Sequence, residues 1–291
     1  MSMQIIDWPD FLREDHDSGG IKIQNSAMTI GVFDGLHLGH QALIKKVVET
    51  GPNPTVVSFR ENPKKLISPK TYQGDIFSLN QKIRFLESMG VRRLVLIDFS
   101  GDFSKLNGWD FLNLLADRGK LTFLAIGDDF CCGFQRNTNA EQIAEINKGR
   151  GIPTVVIPPV ELTVATVVAT VAATPAAVAG ESLSLLRVDS SRIRSAILSG
   201  DIKTAAALLG RNFELDLSDL QSVACESVEQ VFDLRSSGRI IPADGQYPVL
   251  INPGGMKAMA IIQNEKLKLV LAPGIASALK PGLRAESLEF I

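Results

Sequence analysis

Residues 27–40, with the sequence AMTIGVFDGLHLGH, decide the fold that this chain of 291 residues adopts. The apolar run 27–33 predicts a buried strand. Residues 38–50 have the spacing of apolar residues that a helix requires, and Gly51 and Pro52 end that helix. A buried strand that leads directly into a helix is the first half of a βαβ unit, and such units build parallel sheets.

The same alternation of strand and helix continues along the chain. Apolar segments predict four more strands, and segments of helical spacing predict three more helices; the strands are 54–59, 93–97, 122–126 and 154–157, and the helices are 79–89, 107–118 and 140–148. Two short helices follow at 190–199 and 202–209, each ended by a glycine. We therefore expect an α/β, Rossmann-like domain with a parallel sheet at residues 1–210.

Residues 211–291 show a shorter, β-like alternation of apolar and polar residues. It predicts strands at 247–251, 256–262 and 267–271, and a further strand in the tail 284–291. Gly, Pro and Asn residues separate these strands, as expected for tight turns. We expect a small antiparallel, barrel-like domain at residues 211–291.

Composition and charge are those of an ordinary globular protein, with 45% apolar and 21% charged residues. The 30 Lys and Arg residues against 32 Asp and Glu residues give a net charge of -2, which excludes a strongly basic nucleic-acid binder. The three cysteines form neither a disulfide framework nor a zinc-ligand spacing, and the N-terminal residues lack the apolar core of a signal peptide. These features predict a cytoplasmic protein.

One uncharged stretch, residues 162–180, has nearly the length of a membrane span, with 19 residues. Seven of them are Ala, four are Thr, and Pro175 interrupts the run, so the stretch partitions only weakly into lipid. We expect an expanded surface loop or a strand pair there, and no membrane partner.

The junction at residues 31–40 concentrates the side chains that suit catalysis. Its three glycines let the backbone approach a ligand, and the N-terminus of the following helix offers N–H groups and a positive dipole end to phosphate. His37 and His40 can donate hydrogen bonds to oxygens that gain charge in a transition state. This combination points to a nucleoside triphosphate site.

Three other interpretations of the junction stay open at this stage. Asp34, His37 and His40 could together hold a metal ion, although no fourth ligand is indicated. The two histidines could be structural residues that cap a turn. A dinucleotide site is the third, and the G-x-G-x-x-G spacing that it requires is absent.

Three motifs in order resemble one family. Residues 31–40 look like the G-x-F-D-G-x-H-x-G-H motif of prokaryotic FAD synthetases, within the H-x-G-H nucleotidylyltransferases. Residues 127–133, GDDFCCG, are similar to the family's G-x-N-F-x-F-G, and residues 188–194, VDSSRIR, resemble the superfamily's I-S-S-T-x-x-R. The resemblance covers roughly residues 20–213 and agrees with the Rossmann-like fold expected above.

The resemblance implies a reaction, adenylyl transfer from ATP to FMN, that gives FAD and pyrophosphate. By the same resemblance, the catalytic residues are His37, His40 and Arg194, and the residues that bind ATP are Gly31, Phe33, Asp34, Gly39, Asp129, Ser190, Ser191 and Arg194. Mg²⁺ is expected to bridge phosphate oxygens, with Asp129, at the family's Asn position, as the protein ligand; the alternative is that a carboxylate there repels phosphate.

The chain departs from the family on the flavin side. The family's F-x-P-H-P run is here Phe59-Arg60-Glu61-Asn62-Pro63. We expect Arg60, Asn62 and Pro63 to contact FMN, with Arg60 at its phosphate; the alternative for Arg60 is an ordinary solvated surface arginine.

The C-terminal part departs further. Bifunctional members carry a riboflavin-kinase barrel with a G-[FY]-P-T-A-N run, and residues 211–291 contain no such run. Residues 242–247, PADGQY, still resemble the family's P-x-D-G-x-Y strand entry. We expect a degenerate riboflavin-kinase-like domain without kinase activity; an unrelated β module is the alternative. For the whole chain, the alternatives to an FMN adenylyltransferase are a non-catalytic flavin- or nucleotide-binding regulator and an H-x-G-H enzyme with another phosphorylated acceptor.

Overall fold

The computed structural model describes residues 2–13, 25–163, 185–226, 229–271 and 285–291. The chain divides into two compact units. The first unit comprises Met1–Tyr72 and Lys82–Val160, and the second comprises Gln73–Gln81 and Glu161–Ile291.

The first unit is built on strands and helices that alternate along the chain. Its strands are β1 (Gln4–Asp7), β2 (Ser26–Ile30), β3 (Thr55–Phe59), β4 (Arg93–Ile97), β5 (Leu121–Gly127), β6 (Cys131–Cys132), β7 (Thr138–Asn139) and β8 (Thr154–Ile157). Its helices are α1 (Trp8–Leu12), α2 (Leu38–Thr50), α3 (Lys64–Ile67), α4 (Leu79–Ser88), α5 (Gly101–Lys105), α6 (Gly108–Arg118) and α7 (Ala140–Lys148); α4 begins in the segment Gln73–Gln81 of the second unit.

Six of these strands form one parallel sheet in the order β1-β4-β3-β2-β5-β8. All residues of β2 and β4 are buried, as expected for strands with neighbours on both edges and packing on both faces. The strand order reverses between β2 and β5, and in open α/β sheets ligands bind outside the carboxyl ends of strands at such a point. The predicted parallel α/β architecture is confirmed.

The sequence patterns missed some elements and misjudged a few ends. They missed β1, a four-residue edge strand with one buried residue, because so short a segment has no clear period. Strand β2 ends at Ile30 rather than at residue 33, since Phe33 turns into a left-handed conformation with φ of 51°. The other long elements of this unit begin and end within one residue of the prediction.

The second unit contains a small hairpin, two helices and a larger antiparallel sheet. The hairpin pairs β9 (Glu161–Thr163) with β10 (Leu185–Arg187), and the helices are α8 (Ser190–Leu198) and α9 (Ile202–Leu209). The sheet strands are β11 (Glu214–Asp216), β12 (Ser222–Glu226), β13 (Glu229–Asp233), β14 (Gly245–Asn252), β15 (Met256–Gln263), β16 (Lys266–Leu271) and β17 (Ser287–Phe290).

These seven strands pair antiparallel in the order β11-β17-β14-β15-β16-β13-β12. The predicted antiparallel sheet is confirmed, whereas the segments that form β11, β12 and β13 were not predicted as strands.

The domain boundary expected between residues 210 and 211 stays a prediction. The two compact units meet along the chain at other positions, among them Val160 and Glu161. Residues 164–180 of the Ala- and Thr-rich stretch lie outside the described residues. None of the described helices is long and apolar enough to cross a membrane.

The segment Gln73–Gln81 is fastened to the second unit by backbone contacts. Gly74 has φ of 105°, and a Cβ atom there would lie 2.6 Å from the carbonyl carbon of Arg239, so a glycine is required. The Asp75 N–H donates to the Gly238 carbonyl at 2.9 Å, and the Asp75 carbonyl accepts the Ile240 N–H at 2.9 Å. A single parallel bridge between Asp75 and Arg239 therefore holds the start of this segment in place.

A buried carboxylate, Asp216, completes this attachment. Its Oδ2 accepts a hydrogen bond from the Ser78 hydroxyl, and its Oδ1 accepts the Ser218 N–H at 2.9 Å. Burial alone would raise the pKa of Asp216, but the hydrogen bonds from Ser78 and Ser218 and the charge of Arg239 hold this pKa below its ordinary value. Asp216 is therefore ionised at neutral pH and stabilises the fold in that form.

Replacing Ser78 by Ala should lower the free energy of unfolding at neutral pH by about 1.5–3 kcal/mol, because a hydrogen bond to a charged group is lost. The ionised form contributes stability above the ordinary carboxyl pKa, and the contribution disappears as the pH falls through the lowered pKa of the folded state. Urea unfolding at neutral pH and at about pH 2 should thus show a smaller effect of Ser78→Ala in acid. Ser236→Ala, at an exposed position, is the control; an effect of the same size at both pH values would contradict the assignment.

Candidate active site

The loop after β2 is compact and partly buried. The Gly31 N–H still pairs with the Val57 carbonyl of β3 at 3.1 Å, and the chain then leaves the sheet. Phe33, Gly35 and Leu36 take positive φ values of 51°, 72° and 43°. Phe33 and Leu36 are fully buried, so their packing holds two non-glycine residues in a conformation that such residues rarely adopt.

His37 and His40 lie together at the start of α2. His37 precedes the helix as its N-cap, and its Nδ1 accepts the His40 N–H at 3.4 Å. The two imidazole rings stack with centroids 3.6 Å apart, and the edge of the Phe33 ring meets His40 at 5.2 Å. Because Nδ1 of His37 is an acceptor, the neutral ring carries its proton on Nε2 and can donate there.

The start of α2 also provides the electrostatics that an anion requires. The helix has 13 residues, and its N-terminus follows the carboxyl end of β2. Unpaired N–H groups and the positive dipole end of a helix favour phosphate at this position. Gly39 lies in the first turn, and the buried Asp34 lies in the loop just before it. The structure places Gly31, Phe33, Asp34, Gly39 and the two histidines in one loop and helix start.

Asp129 follows the neighbouring strand β5, so it belongs to the same edge of the sheet as Asp34. Its side chain is exposed, and its carbonyl accepts a hydrogen bond from Arg136 Nη2 at 3.4 Å. Among the described residues, no group of three or more His, Cys, Asp or Glu side chains is arranged to hold a metal ion. This argues against Asp34, His37 and His40 as a self-contained metal site.

The residues expected on the flavin side follow β3. The Arg60 guanidinium pairs with Asp7, at the end of β1, and with Asp98, after β4, where Nε is 3.1 Å from Oδ1. Arg60 therefore bridges two carboxylates at the carboxyl edge of the sheet. Asn62 is buried and its Oδ1 accepts the Lys64 N–H at 3.1 Å, while Pro63 is buried at the start of α3.

The predicted phosphate clamp lies in the second unit, at the start of α8. Asp189 caps this helix by accepting the Arg192 N–H at 2.8 Å, and Ser190 and Ser191 occupy its first turn. Arg194 is only 6% exposed. Its Nε donates to the Gly74 carbonyl at 3.1 Å, and its Nη1 donates to the Ser190 carbonyl at 3.2 Å.

Sequence reasoning missed Lys82, whose ammonium donates to the carbonyl oxygen of Val32 at 2.9 Å. Val32 lies in residues 31–37, the loop between β2 and α2, which we call the histidine loop. The sequence of α4 did contain a sign of this buried lysine. Lys82 shares the face of α4 with Leu86, four residues on, and Leu86 is fully buried. A lysine on the apolar face of a helix departs from the usual amphipathic pattern. Because its ammonium is then buried, it needs hydrogen-bond acceptors inside the protein.

Comparison with known proteins places these features in a family context. The family model for FAD synthetase matches residues 21–171, which is more than half of the 291 residues. The bifunctional riboflavin kinase/FMN adenylyltransferase of Buchnera aphidicola subsp. Acyrthosiphon pisum is 29% identical over 66% of this chain and 56% of its own length. The protein of the same name from Pseudomonas fluorescens is 25% identical over 99% of this chain and 84% of its own length.

The alignment with the Buchnera protein thus spans little more than half of that protein. Among solved structures, one from Streptococcus pneumoniae, described as a macrolide-efflux protein, superposes with a TM-score of 0.73. It is 23% identical and covers 99% of this chain and 89% of its own. At this identity the likeness concerns the fold alone.

Cys132, in the segment after Asp129, should be chemically inert in the folded chain. Burial, together with the neighbouring Cys131, raises the pKa of its thiol to about 12. Because the thiolate is the reactive form, iodoacetamide at about pH 8 should alkylate Cys132 about 10³-fold more slowly in the native protein than in urea. Timed labelling with mass spectrometry that resolves the two adjacent cysteines measures both rates; equal rates in the two states would contradict the assignment.

Proposed function

The chain belongs to the FAD synthetase family, and we propose that it transfers AMP from ATP to FMN, giving FAD and pyrophosphate. The observation that carries the proposal is the stacked pair of His37 and His40 at the N-terminus of α2, beside the point where the strand order of the sheet reverses. This is an anion-binding position with two ring donors, as transfer of a nucleotidyl group requires.

The transfer step requires the protein mainly to position the two substrates and to stabilise charge on the phosphate oxygens. A phosphate monoester such as FMN is largely ionised near neutral pH, so its oxygen attacks the α-phosphorus of ATP without a general base. The P–O bond to the β-phosphate breaks, and pyrophosphate leaves with the bonding electrons. The residues must then hold the two substrates in line and stabilise the charge that grows on the phosphate oxygens. We assign that stabilisation to His37 and His40, with Gly31, Phe33, Asp34 and Gly39 shaping the nucleotide side.

The departing phosphates are assigned to Ser190, Ser191 and Arg194. The two hydroxyls stand in the first turn of α8, where helix N–H groups also favour anions. Two carbonyl acceptors, those of Gly74 and Ser190, fix the plane of the Arg194 guanidinium. A guanidinium oriented in this way loses little freedom when it binds phosphate.

The residues present fit Mg²⁺ as an ion shared with the substrate. Asp129 offers a hard, exposed carboxylate, and the absence of a three-ligand cluster among the described side chains means that phosphate oxygens and water would complete its coordination. Bound there, Mg²⁺ would neutralise phosphate charge.

On the flavin side, we propose that Arg60, Asn62 and Pro63 border the FMN site. Asp7 and Asp98 hold the Arg60 guanidinium at the carboxyl edge of the sheet, where its N–H groups could donate to the attacking phosphate. We further propose that riboflavin is not phosphorylated, because residues 211–291 lack the P-T-A-N run that the family's kinase domain uses.

Incubation with ATP, Mg²⁺ and FMN should produce FAD and pyrophosphate, whereas riboflavin in place of FMN should remain unchanged. Chromatography of the flavins measures both reactions. Unchanged FMN, with consumption of another phosphorylated acceptor, would redirect the assignment within the superfamily, and binding of ATP and FMN without turnover would favour a regulatory protein. Formation of FMN from riboflavin, abolished by deletion of residues 214–291, would refute the absence of kinase activity.

His40→Ala should lower the turnover number about 10²–10³-fold, because one preorganised donor to the transition state is lost. The fold should survive, since helix α2 keeps its cap at His37 and its buried face. Steady-state rates of FAD formation and circular dichroism test both statements. His16→Ala, which removes the histidine outside the motif, is the control; near-normal turnover of His40→Ala would make the pair structural.

A further inference from the structure

Lys82 buries an ammonium group against the loop that carries the two histidines. Its side chain is on α4, and the residue is only 7% exposed. Besides the Val32 carbonyl at 2.9 Å, the ammonium donates to Ser58 Oγ and to the Phe59 carbonyl, both at 3.3 Å. The three N–H groups of a lysine thus meet three protein oxygens.

Two of these acceptors are carbonyls at the places where the chain leaves the sheet. Val32 lies two residues after the end of β2, and Phe59 is the last residue of β3. Buried carbonyls need donors, and beyond the end of a strand the ladder no longer supplies them. Ser58 Oγ also donates to the Val32 carbonyl at 3.1 Å, so this oxygen is held by two donors.

The Val32 carbonyl is linked to the histidine pair through the ring of Phe33. Val32 precedes Phe33, whose buried ring stands edge-on against the His40 ring, with the ring centroids 5.2 Å apart. His40 in turn stacks on His37 at 3.6 Å. A shift of the Val32 carbonyl would therefore move Phe33 and, through it, both imidazoles.

The charge at this position costs free energy that its hydrogen bonds offset. Burying an ammonium carries a large desolvation cost, and an apolar side chain of the same length would leave the Val32 and Phe59 carbonyls without this donor. Lys82 shares its helix face with the fully buried Leu86, where a methionine would continue the apolar surface. What an apolar side chain cannot do is donate to the loop after β2 and to the end of β3 at once.

We propose that Lys82 is a positioning residue for nucleotidyl transfer: it fixes the histidine loop relative to the loop that follows β3 and so keeps the two reacting phosphates in line. The inference rests on the proposed function, in which the first loop serves ATP and the second, with Arg60, serves FMN. In-line transfer is sensitive to such placement, because an error of about 1 Å can lower the rate about 10²-fold.

Lys82→Met keeps the length of the side chain and removes the donors. We expect kcat for FAD formation to fall about 10²-fold, with KM for ATP and FMN changed far less, because binding contacts remain while alignment is lost. Lys148→Met, which removes an exposed lysine at the end of α7, is the matched control. A raised KM with unchanged kcat would mean that Lys82 binds substrate directly, and a loss of folding with normal kcat for the folded fraction would mean a structural role; either result overturns the proposal.

A second measurement does not depend on turnover. The chain has three histidines, so their imidazole proton resonances can be assigned by single substitutions. Stacked rings shift each other's resonances, and in Lys82→Met the signals of His37 and His40 should move while that of His16 stays. Ser58→Ala, which removes one acceptor of the ammonium and one donor to Val32, should move the same signals in the same direction by a smaller amount. Unchanged signals in both variants would refute the positioning role. This result is separate from a failure of the parent protein to form FAD, which would refute the proposed function.

Discussion

The burial of β2 between two parallel neighbours is the constraint on which the first unit depends. All five of its residues are buried, and it pairs with β3 on one edge and β5 on the other. A strand in that position tolerates only apolar or small polar side chains, so the first charged residue after the start of β2 is Asp34. The chain therefore reaches the sheet edge with Asp34, His37 and His40 close together, at the point where the strand order reverses.

The same constraint explains why charged and polar groups are buried around that loop. Strand ends leave carbonyl oxygens without ladder partners, and Lys82 and Ser58 supply the donors for the Val32 carbonyl. Phe33 and Leu36 turn inward in left-handed conformations, which keeps the loop short and places His40 against the Phe33 ring. The loop is thus shaped by packing and hydrogen bonds before any substrate arrives, a form of preorganisation that lowers the cost of catalysis.

In the second unit, the antiparallel sheet and its loops hold the segment Gln73–Gln81 in place, although residues 211–291 lack the P-T-A-N run. Asp216 and the backbone around Arg239 fasten the segment Gln73–Gln81, and the Gly74 carbonyl of that segment orients the Arg194 guanidinium. Arg211 lies over the Phe77 ring at 4.5 Å and adds a further contact to the same segment. The position of the Arg194 guanidinium therefore depends on contacts that the sheet of the second unit makes with this segment.

The sequence by itself determined the parallel α/β sheet, the antiparallel C-terminal sheet and the grouping of Asp34, His37 and His40, because periodicity and the order of motifs are local properties. It did not reveal the edge strand β1, whose four residues are too few to show a period and are paired only through β4. Nor did it reveal the partners of Lys82, Arg60 or Arg194. The contacts of Lys82 with Val32, of Arg60 with Asp98 and of Arg194 with Gly74 join residues 38 to 120 positions apart. Only the folded backbone brings these partners within hydrogen-bond distance. Local pattern sets which elements form, and tertiary packing decides which buried donors meet which carbonyls, because that choice depends on where strands end in space.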